Sequence, residues 1–452
     1  MSNDEGAGGA PAAVPTDPAA LLRSREYRVI LVMAAIVGIV VSVASWAFLE
    51  LVHGLQVGIY EELPDALGFD EMPLWWPVPW LVVGGLLAAI AIVRLPGKGG
   101  HVPYEGMKGG AIPPVDLPGV LLAALASLGF GFVLGPEGPL LALATGLAVL
   151  AVRSAKKDTP DQAMAVLSAS AAFAALASVF GSPLIGTIIL IEAAGLGGPM
   201  LPLVLLPGLM SAGIGSLVFV GLGSWTGLDN SNHALQPFSL APFSTPTLAQ
   251  LGWAVGLAVA AAVFTWIVVA GARMSGRFVA RRPLVLMPAV GLAVALVAMA
   301  FDVATDESEL GVLFSGQEAF GELFADAAGL STATLLVLVA CKGVAWSLSL
   351  GSFRGGPTFP ALFLGAVGGL AVADLPGLGQ TPAVVILMAA MAVSILRLPL
   401  SALIVTLLLT SSAGITTAPL AIVATVVAYL TTLGLTALSD RSAAAPALEQ
   451  PT

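Results

Sequence analysis

The 452 residues are 58% hydrophobic and only 10% charged, with a mean hydropathy of +0.98; soluble domains carry about 25% charged residues. That balance excludes an ordinary soluble domain and identifies an all-α polytopic membrane protein, since the outward-alternating strands of a membrane barrel are missing. The net charge of −10 comes from acids dispersed through loops, so no nucleic-acid partner is indicated.

Residues 1–27 read as a disordered cytoplasmic tail of Ala, Gly, Pro and polar residues, without the basic start and apolar core of a signal peptide. Arg23, Arg25 and Arg28 precede the first apolar segment and put the N-terminus inside. Apolar segments near spanning length, about 17–25 residues, fall at 29–52, 77–95, 117–134, 136–152, 163–181 and 199–222. Others follow at 247–271, 283–301, 331–350, 357–373, 382–397 and 417–437. The 52 Gly and 32 Pro break several of them. Many helices must therefore start or stop inside the bilayer, where only protein or a cavity can cover the freed backbone groups.

Loop charges set the topology. The loop with Glu61, Glu62, Asp65, Asp70 and Glu71 and the acidic loop 302–326 lie outside. Arg94, Lys98 and Lys108, then Arg153, Lys156 and Lys157, then Arg273, Arg277, Arg281 and Arg282 mark inside loops. Trp75, Trp76 and Trp80 read as interfacial anchors. The layout is a membrane domain over 28–437, with halves at about 28–222 and 247–437, and a short cytoplasmic tail at 438–452. The expected location is the cell inner (plasma) membrane. Cys341 is the only cysteine, which rules out an internal disulfide.

One carboxylate stands in a run otherwise without charge from Asp116 to Arg153, in Gly135-Pro136-Glu137-Gly138-Pro139. An ionisable group in hydrocarbon costs roughly 2.5–3.5 kcal/mol or more and is seldom there without a use. The motif reads as a sharp helix start, whose first N–H groups lack intrahelical partners and carry the positive end of the dipole. An anion can bind there, and the Glu side chain is itself an anion that could occupy the place. The plainer role for Glu137 is a helix cap.

A second block resembles the first. Gly135 to Pro139 followed by Ser182-Pro183-Leu184-Ile185-Gly186 matches Gly355-Gly356-Pro357-Thr358-Phe359-Pro360 followed by Leu398-Pro399-Leu400-Ser401-Ala402. Two inverted halves with broken helices meeting near the midplane are a common transporter plan. Half-helix N-termini facing one point suit an anion.

These residues resemble the CLC family of chloride channels and chloride/proton antiporters, over about residues 28 to 437. Gly99-Gly100-His101-Val102-Pro103 is similar to that family's first anion loop, Gly-Ser-Gly-Ile-Pro. Gly135 to Pro139 is similar to Gly-Arg-Glu-Gly-Pro, whose Glu is the external gate. Gly355 to Pro360 is similar to Gly-Gly-Ile-Phe-Ala-Pro, and Arg397-Leu398-Pro399-Leu400-Ser401 to Arg-x-Pro-Leu-Thr. Lys342 and Gly351 also sit as in family members. The resemblance implies an inverted-repeat CLC-type fold, a homodimer, and one anion pathway per subunit with the anion held by helix N-termini. It makes Glu137 the gate, filling the outer site when deprotonated and swinging away when protonated. It puts anion binding at Gly100, His101, Gly135, Glu137, Gly138, Gly356, Thr358 and Phe359.

The chain departs from that pattern. Gly100 removes a hydroxyl donor, and His101 brings a titratable group near the inner mouth or simply faces water. Pro136 and Pro357 have no N–H to offer. Thr358 could restore a donor to the central site or act only as a helix cap. Tyr429 sits in what looks like the wrong register for the family's anion-touching Tyr and reads as packing. Glu192 and Ala193 fall where coupled antiporters carry Glu-Glu. Ala193 cannot accept a proton, and Glu192 is either an inner proton relay or a structural partner at a helix end. The leading function is a passive, glutamate-gated chloride channel or uncoupled transporter, and the alternative is a proton-coupled chloride antiporter. A fluoride exporter has no distinctive support. No His-Glu-x-x-His, no intramembrane Asp pair and no nucleophile–base pattern suggests an enzyme, and no metal or cofactor is called for. A non-conducting scaffold would not need four such loops in order. Arg397 and Lys342 read as interfacial or packing charges rather than pore ligands.

Overall fold

The computed structural model describes residues 22–106, 111–155, 159–195, 201–227, 234–326 and 329–444. The first seven principal helices are α1 (Arg25–Val57), α2 (Pro77–Arg94), α3 (Leu117–Leu128), α4 (Glu137–Ala155), α5 (Asp161–Val179), α6 (Pro183–Ala193) and α7 (Leu201–Thr226). The second seven are α8 (Leu248–Val279), α9 (Pro283–Thr305), α10 (Thr332–Ser352), α11 (Thr358–Ala371), α12 (Gln380–Leu396), α13 (Pro399–Leu409) and α14 (Ala418–Ala444). Among the described residues nine helices are long and apolar enough to cross a membrane.

Local chemistry sets the helix starts. Proline opens α2, α6, α9 and α13, where its missing N–H would have had no intrahelical partner. Thr247 and Gln250 form a reciprocal capping box at the start of α8, which satisfies two such donors. α11 and α12, at 14 and 17 residues, are short for a bilayer crossing, yet nearly every residue in them is buried. Protein rather than lipid surrounds them. Gly365 and Gly369 of α11 let the α12 backbone at Met388 and Val384 come so close that no Cβ would fit. Such small-residue contacts hold helices together where lipid removes the hydrophobic drive.

The expected repeat is present in the packing. In the first half α5 lies against α1, α4, α6 and α7; in the second, α12 lies against α8, α11, α13 and α14. Each of these helices has its counterpart seven places later. Counterparts also meet across the halves, α2 against α9 and α6 against α13, and the entry turns of α4 and α11 are joined through the backbone.

Several boundaries differ from those read in the sequence. α1 begins at Arg25, capped by Ser24 Oγ accepting from Tyr27 N–H at 3.0 Å, so the last residues of the expected 1–27 tail are helical. α14 runs on to Ala444 through the first part of the expected 438–452 tail, because that stretch holds no Gly or Pro to stop it. α8 runs through Gly271 and Gly276 to Val279, which puts Arg273 and Arg277 on a helix rather than in a loop. Trp75 is exposed, but Trp76 is core, its indole N–H donating to the Ile59 carbonyl at 2.9 Å. Tyr429 and Cys341 are partly buried and pack against the core. Residues 1–21, Lys108, Lys156, Lys157 and His233 lie outside the described residues.

In the acidic loop between α9 and α10, Glu309 is only 3% exposed. Burial pushes its carboxyl up to about 7, its own backbone N–H opposing the rise and the Asp302 carboxyl adding to it. Between its ordinary value of 4.5 and about 7 the folded state holds more protons than the unfolded one, so stability falls as pH rises through that window. We expect thermal unfolding in detergent to occur at lower temperature at about pH 8 than at about pH 5. Glu309→Gln should flatten that dependence.

Candidate functional site

The turns 132–136 and 353–357 enter α4 and α11. They lie side by side: Gly135 N–H donates to the Gly356 carbonyl at 2.8 Å and Gly356 N–H to the Gly135 carbonyl at 2.5 Å, an isolated antiparallel bridge. Upstream, Phe132 and Phe353 stack with ring centroids 3.5 Å apart. Val133 N–H donates to Ser349 Oγ at 3.2 Å, and Arg354 N–H to Ser127 Oγ at 3.1 Å. Glycine is needed at this contact. A Cβ on Gly356 would overlap the Glu137 carboxylate, and one on Gly138 would sit 2.8 Å from the Gly355 carbonyl oxygen.

Glu137, the first residue of α4, is fully buried. Its Oε1 accepts from the Thr358 N–H, the first of α11, at 2.6 Å. A carboxyl from one half thus occupies the helix start of the other, where the unpaired N–H groups and the dipole favour negative charge. The other oxygen, Oε2, has no hydrogen-bond partner, and neither has Thr358 Oγ1. The next residue, Phe359, stacks obliquely on Phe180 at 5.5 Å. A Cβ on Gly135 would come within 3.0 Å of the Phe359 ring. Gly135, Glu137, Gly138, Gly356, Thr358 and Phe359 therefore form one cluster.

Gly100 and His101 belong to a separate loop. Gly97, Lys98, Gly99 and Gly100 all have positive φ, and the turn packs on Val120 and Ala123 of α3 and on the Arg354 side chain. No described contact joins Gly100 or His101 to Glu137; His101 is half-exposed. Arg354 links this loop to the bridge. Its Nη1 donates to the Phe353 carbonyl at 3.1 Å while its Nε, buried, has no partner. Sequence reasoning passed over Arg354, although a lone cation directly before Gly355-Gly356 in an apolar stretch is the kind of signal that singled out Glu137.

Glu192, near the end of α6, is held at the start of α13. Its Oε1 accepts from Leu400 N–H at 2.9 Å, and its Oε2 from Ser401 N–H at 2.7 Å and Ser401 Oγ at 2.6 Å. Leu398 at the head of α13 offers no side-chain cap, so Glu192 caps the helix from its counterpart, as Glu137 does for α11. Removing such a cap costs about 1–2 kcal/mol. Glu192→Ala is expected to lower stability by that amount in thermal unfolding and to leave proton movement in liposomes unaltered.

A cavity of about 450 Å³ opens beside Pro136 and Phe363, with His53, Glu61, Glu307 and Glu318 on its walls. His53 Nδ1 lies 3.0 Å from Glu318 Oε1. Behind it, Lys342 is fully buried, which makes it a packing charge rather than an interfacial one, of the two roles read from the sequence. Its Nζ donates to the carbonyls of Gly311, Val312 and Leu313 at 3.0, 3.3 and 2.7 Å and sits 4.7 Å from the Phe363 ring centre. The adjoining Phe314 N–H donates to the Gly131 carbonyl at 3.0 Å, so the strap 311–314 is tied to the turn that leads into the bridge.

The sequence model described as voltage gated chloride channel matches residues 102–433. YfeO, named as an ion-transport protein, of Escherichia fergusonii is 26% identical over 356 residues, covering 77% of this chain and 80% of YfeO. YfeO of Escherichia coli strain SE11 matches with the same identity and coverage. Among solved structures, a slow cyanobacterial Cl⁻/H⁺ antiporter superposes with a TM-score of 0.70 at 19% identity, covering 91% of this chain and 97% of its own. A CLC-type fluoride/proton antiporter does so with a TM-score of 0.66 at 17% identity, covering 91% and 96%.

Proposed function

Because the chain belongs to the voltage gated chloride channel family, we propose that it conducts chloride or a similar small anion passively, past a gate formed by Glu137. The observation that carries this reading is the docking of the buried Glu137 carboxyl on the Thr358 N–H, with its second oxygen left unpartnered. A carboxylate held at a helix start can be exchanged for another anion, because each can use the same helix-start donors. Protonation acts in the same direction by removing the charge that the helix start attracts. Acid and high chloride should both open the path. The cavity beside Pro136 provides the approach from the acidic-loop side. The protein is expected to be a homodimer in the cell inner membrane with both termini cytoplasmic.

A second reading, proton-coupled antiport, is favoured by the two similar solved structures, a Cl⁻/H⁺ antiporter and a fluoride/proton antiporter. Against it, Ala193 cannot relay a proton, and all the described hydrogen bonds of Glu192 are spent on capping α13.

When the gate leaves, the Thr358 hydroxyl is a free donor beside the vacated place. A hydrogen bond to a charged group contributes about 1.5–3 kcal/mol. Thr358→Val is therefore expected to weaken anion binding about tenfold or more, read as chloride efflux against concentration in liposomes containing purified protein. Unchanged flux and selectivity would remove the hydroxyl from the site. An absence of anion flux in the unmodified protein would remove the transport reading itself.

A further inference from the structure

We propose a second anionic-ligand site, remote from Glu137, that takes a phosphate ester in a cavity of about 600 Å³ between α8, α12 and α14. The proposal does not rest on anion conduction. Arg273, Arg277 and Arg281 follow one another at four-residue spacing along one face of α8 and its C-terminal turn, and Arg397 closes the cavity from the end of α12. Like charges at that spacing repel and destabilise an isolated helix. Among the described residues no acidic side chain lines the cavity, and none of the four arginines makes an ion pair. Four arginines lining one cavity, with no ion pair among the described residues, make a receptor for a multivalent oxyanion, since each guanidinium presents a planar fork that matches phosphate oxygens.

The rest of the cavity narrows the ligand class. Its hydroxyls are already committed as donors: Ser394, Thr432 and Thr436 each donate to the carbonyl four residues back in their own helix. Recognition of charge thus falls to the arginines. The arginines share the lining with apolar side chains of the same helix, Trp266, Val269, Ala270 and Phe278. Trp266 is fixed by its indole N–H donating to Ser439 Oγ at 3.1 Å. A lining shared by arginines and apolar side chains, on the arginine-rich side that the positive-inside bias assigns to the cytoplasm, fits a phosphate carried on an apolar body. Basic pockets between membrane helices on that side bind anionic headgroups. The same chemistry would admit a soluble phosphate compound.

The test uses the full-length protein purified in detergent, with the thermal unfolding midpoint followed during titration. The probes are phosphatidylglycerol in mixed micelles, phosphatidylcholine in matched micelles, and inorganic pyrophosphate. The expected result is a saturable rise in midpoint with phosphatidylglycerol and none with phosphatidylcholine. Arg273→Gln/Arg277→Gln/Arg281→Gln should weaken that response at least tenfold. Arg281→Gln alone, at an exposed helix end, gives a smaller loss should the triple variant not fold. Arg153→Gln, a cytoplasmic arginine outside the cavity, should respond as the unmodified protein does. A rise with pyrophosphate alone would keep the site and identify the source as a soluble phosphate. No response to either anionic probe, or equal responses in all variants, would overturn the proposal.

Discussion

Glu137→Ala should raise chloride efflux at neutral pH by about tenfold to a hundredfold and abolish its rise with acid. The magnitude follows from the bond that holds the Glu137 carboxyl in place. A charged acceptor on a backbone donor contributes about 1.5–3 kcal/mol, and each 1.4 kcal/mol is a factor of ten in population. The Thr358 N–H is then free for the permeating anion. The sign of the pH effect comes from charge alone: acid neutralises the carboxylate, weakens its hold on the α11 start, and opens the path. Efflux from liposomes at several pH values checks both parts. A variant that conducts no faster than the unmodified protein and keeps its acid activation would show that the docked carboxyl is a cap and not a gate.

The largest loss of stability is expected at Lys342. Its ammonium donates to three consecutive carbonyls and lies over Phe363 with no exposure to solvent. Lys342→Met keeps the length of the side chain but leaves those carbonyls without their donor. Each buried acceptor left unsatisfied costs about 1–3 kcal/mol. Relief from burying the ammonium offsets part of this, so the net loss should be about 3 kcal/mol. The strap 311–314 should loosen first and, through the Phe314–Gly131 bond, disturb the turn that enters the bridge. Thermal unfolding together with proteolysis of the 309–330 region would read this out. A variant as stable as the unmodified protein would mean that the ammonium's burial cancels its bonds.

The sequence made much of this plan legible because Gly and Pro punctuate it physically. Pro77, Pro183, Pro283 and Pro399 each open a helix within its first turn, as a residue without an N–H must. Glu137 stood out because a lone carboxylate in an apolar run has few uses. What stayed hidden are the contacts that cross the halves. Nothing local in Ile191-Glu192-Ala193 reveals that Glu192 reaches the start of α13, or that Lys342 is satisfied by carbonyls some thirty residues before it. Trp76 was misread for a similar reason: an aromatic next to an exposed neighbour reads as interfacial until its partner Ile59 is in view. Helix ends were misplaced where no breaker marks them, at Arg25 and Ala444, and where a helix runs on through its glycines, at Val279.

The measurement that tests the central claim most directly is simultaneous recording of chloride efflux and proton uptake in liposomes, for the unmodified protein and for Glu137→Gln. Passive conduction past a glutamate gate predicts chloride flux without proton movement against a gradient in the unmodified protein. It also predicts faster, pH-independent chloride flux in the variant. Stoichiometric proton pumping by the unmodified protein that is lost in Glu137→Gln would contradict it and establish antiport through a relay other than Ala193.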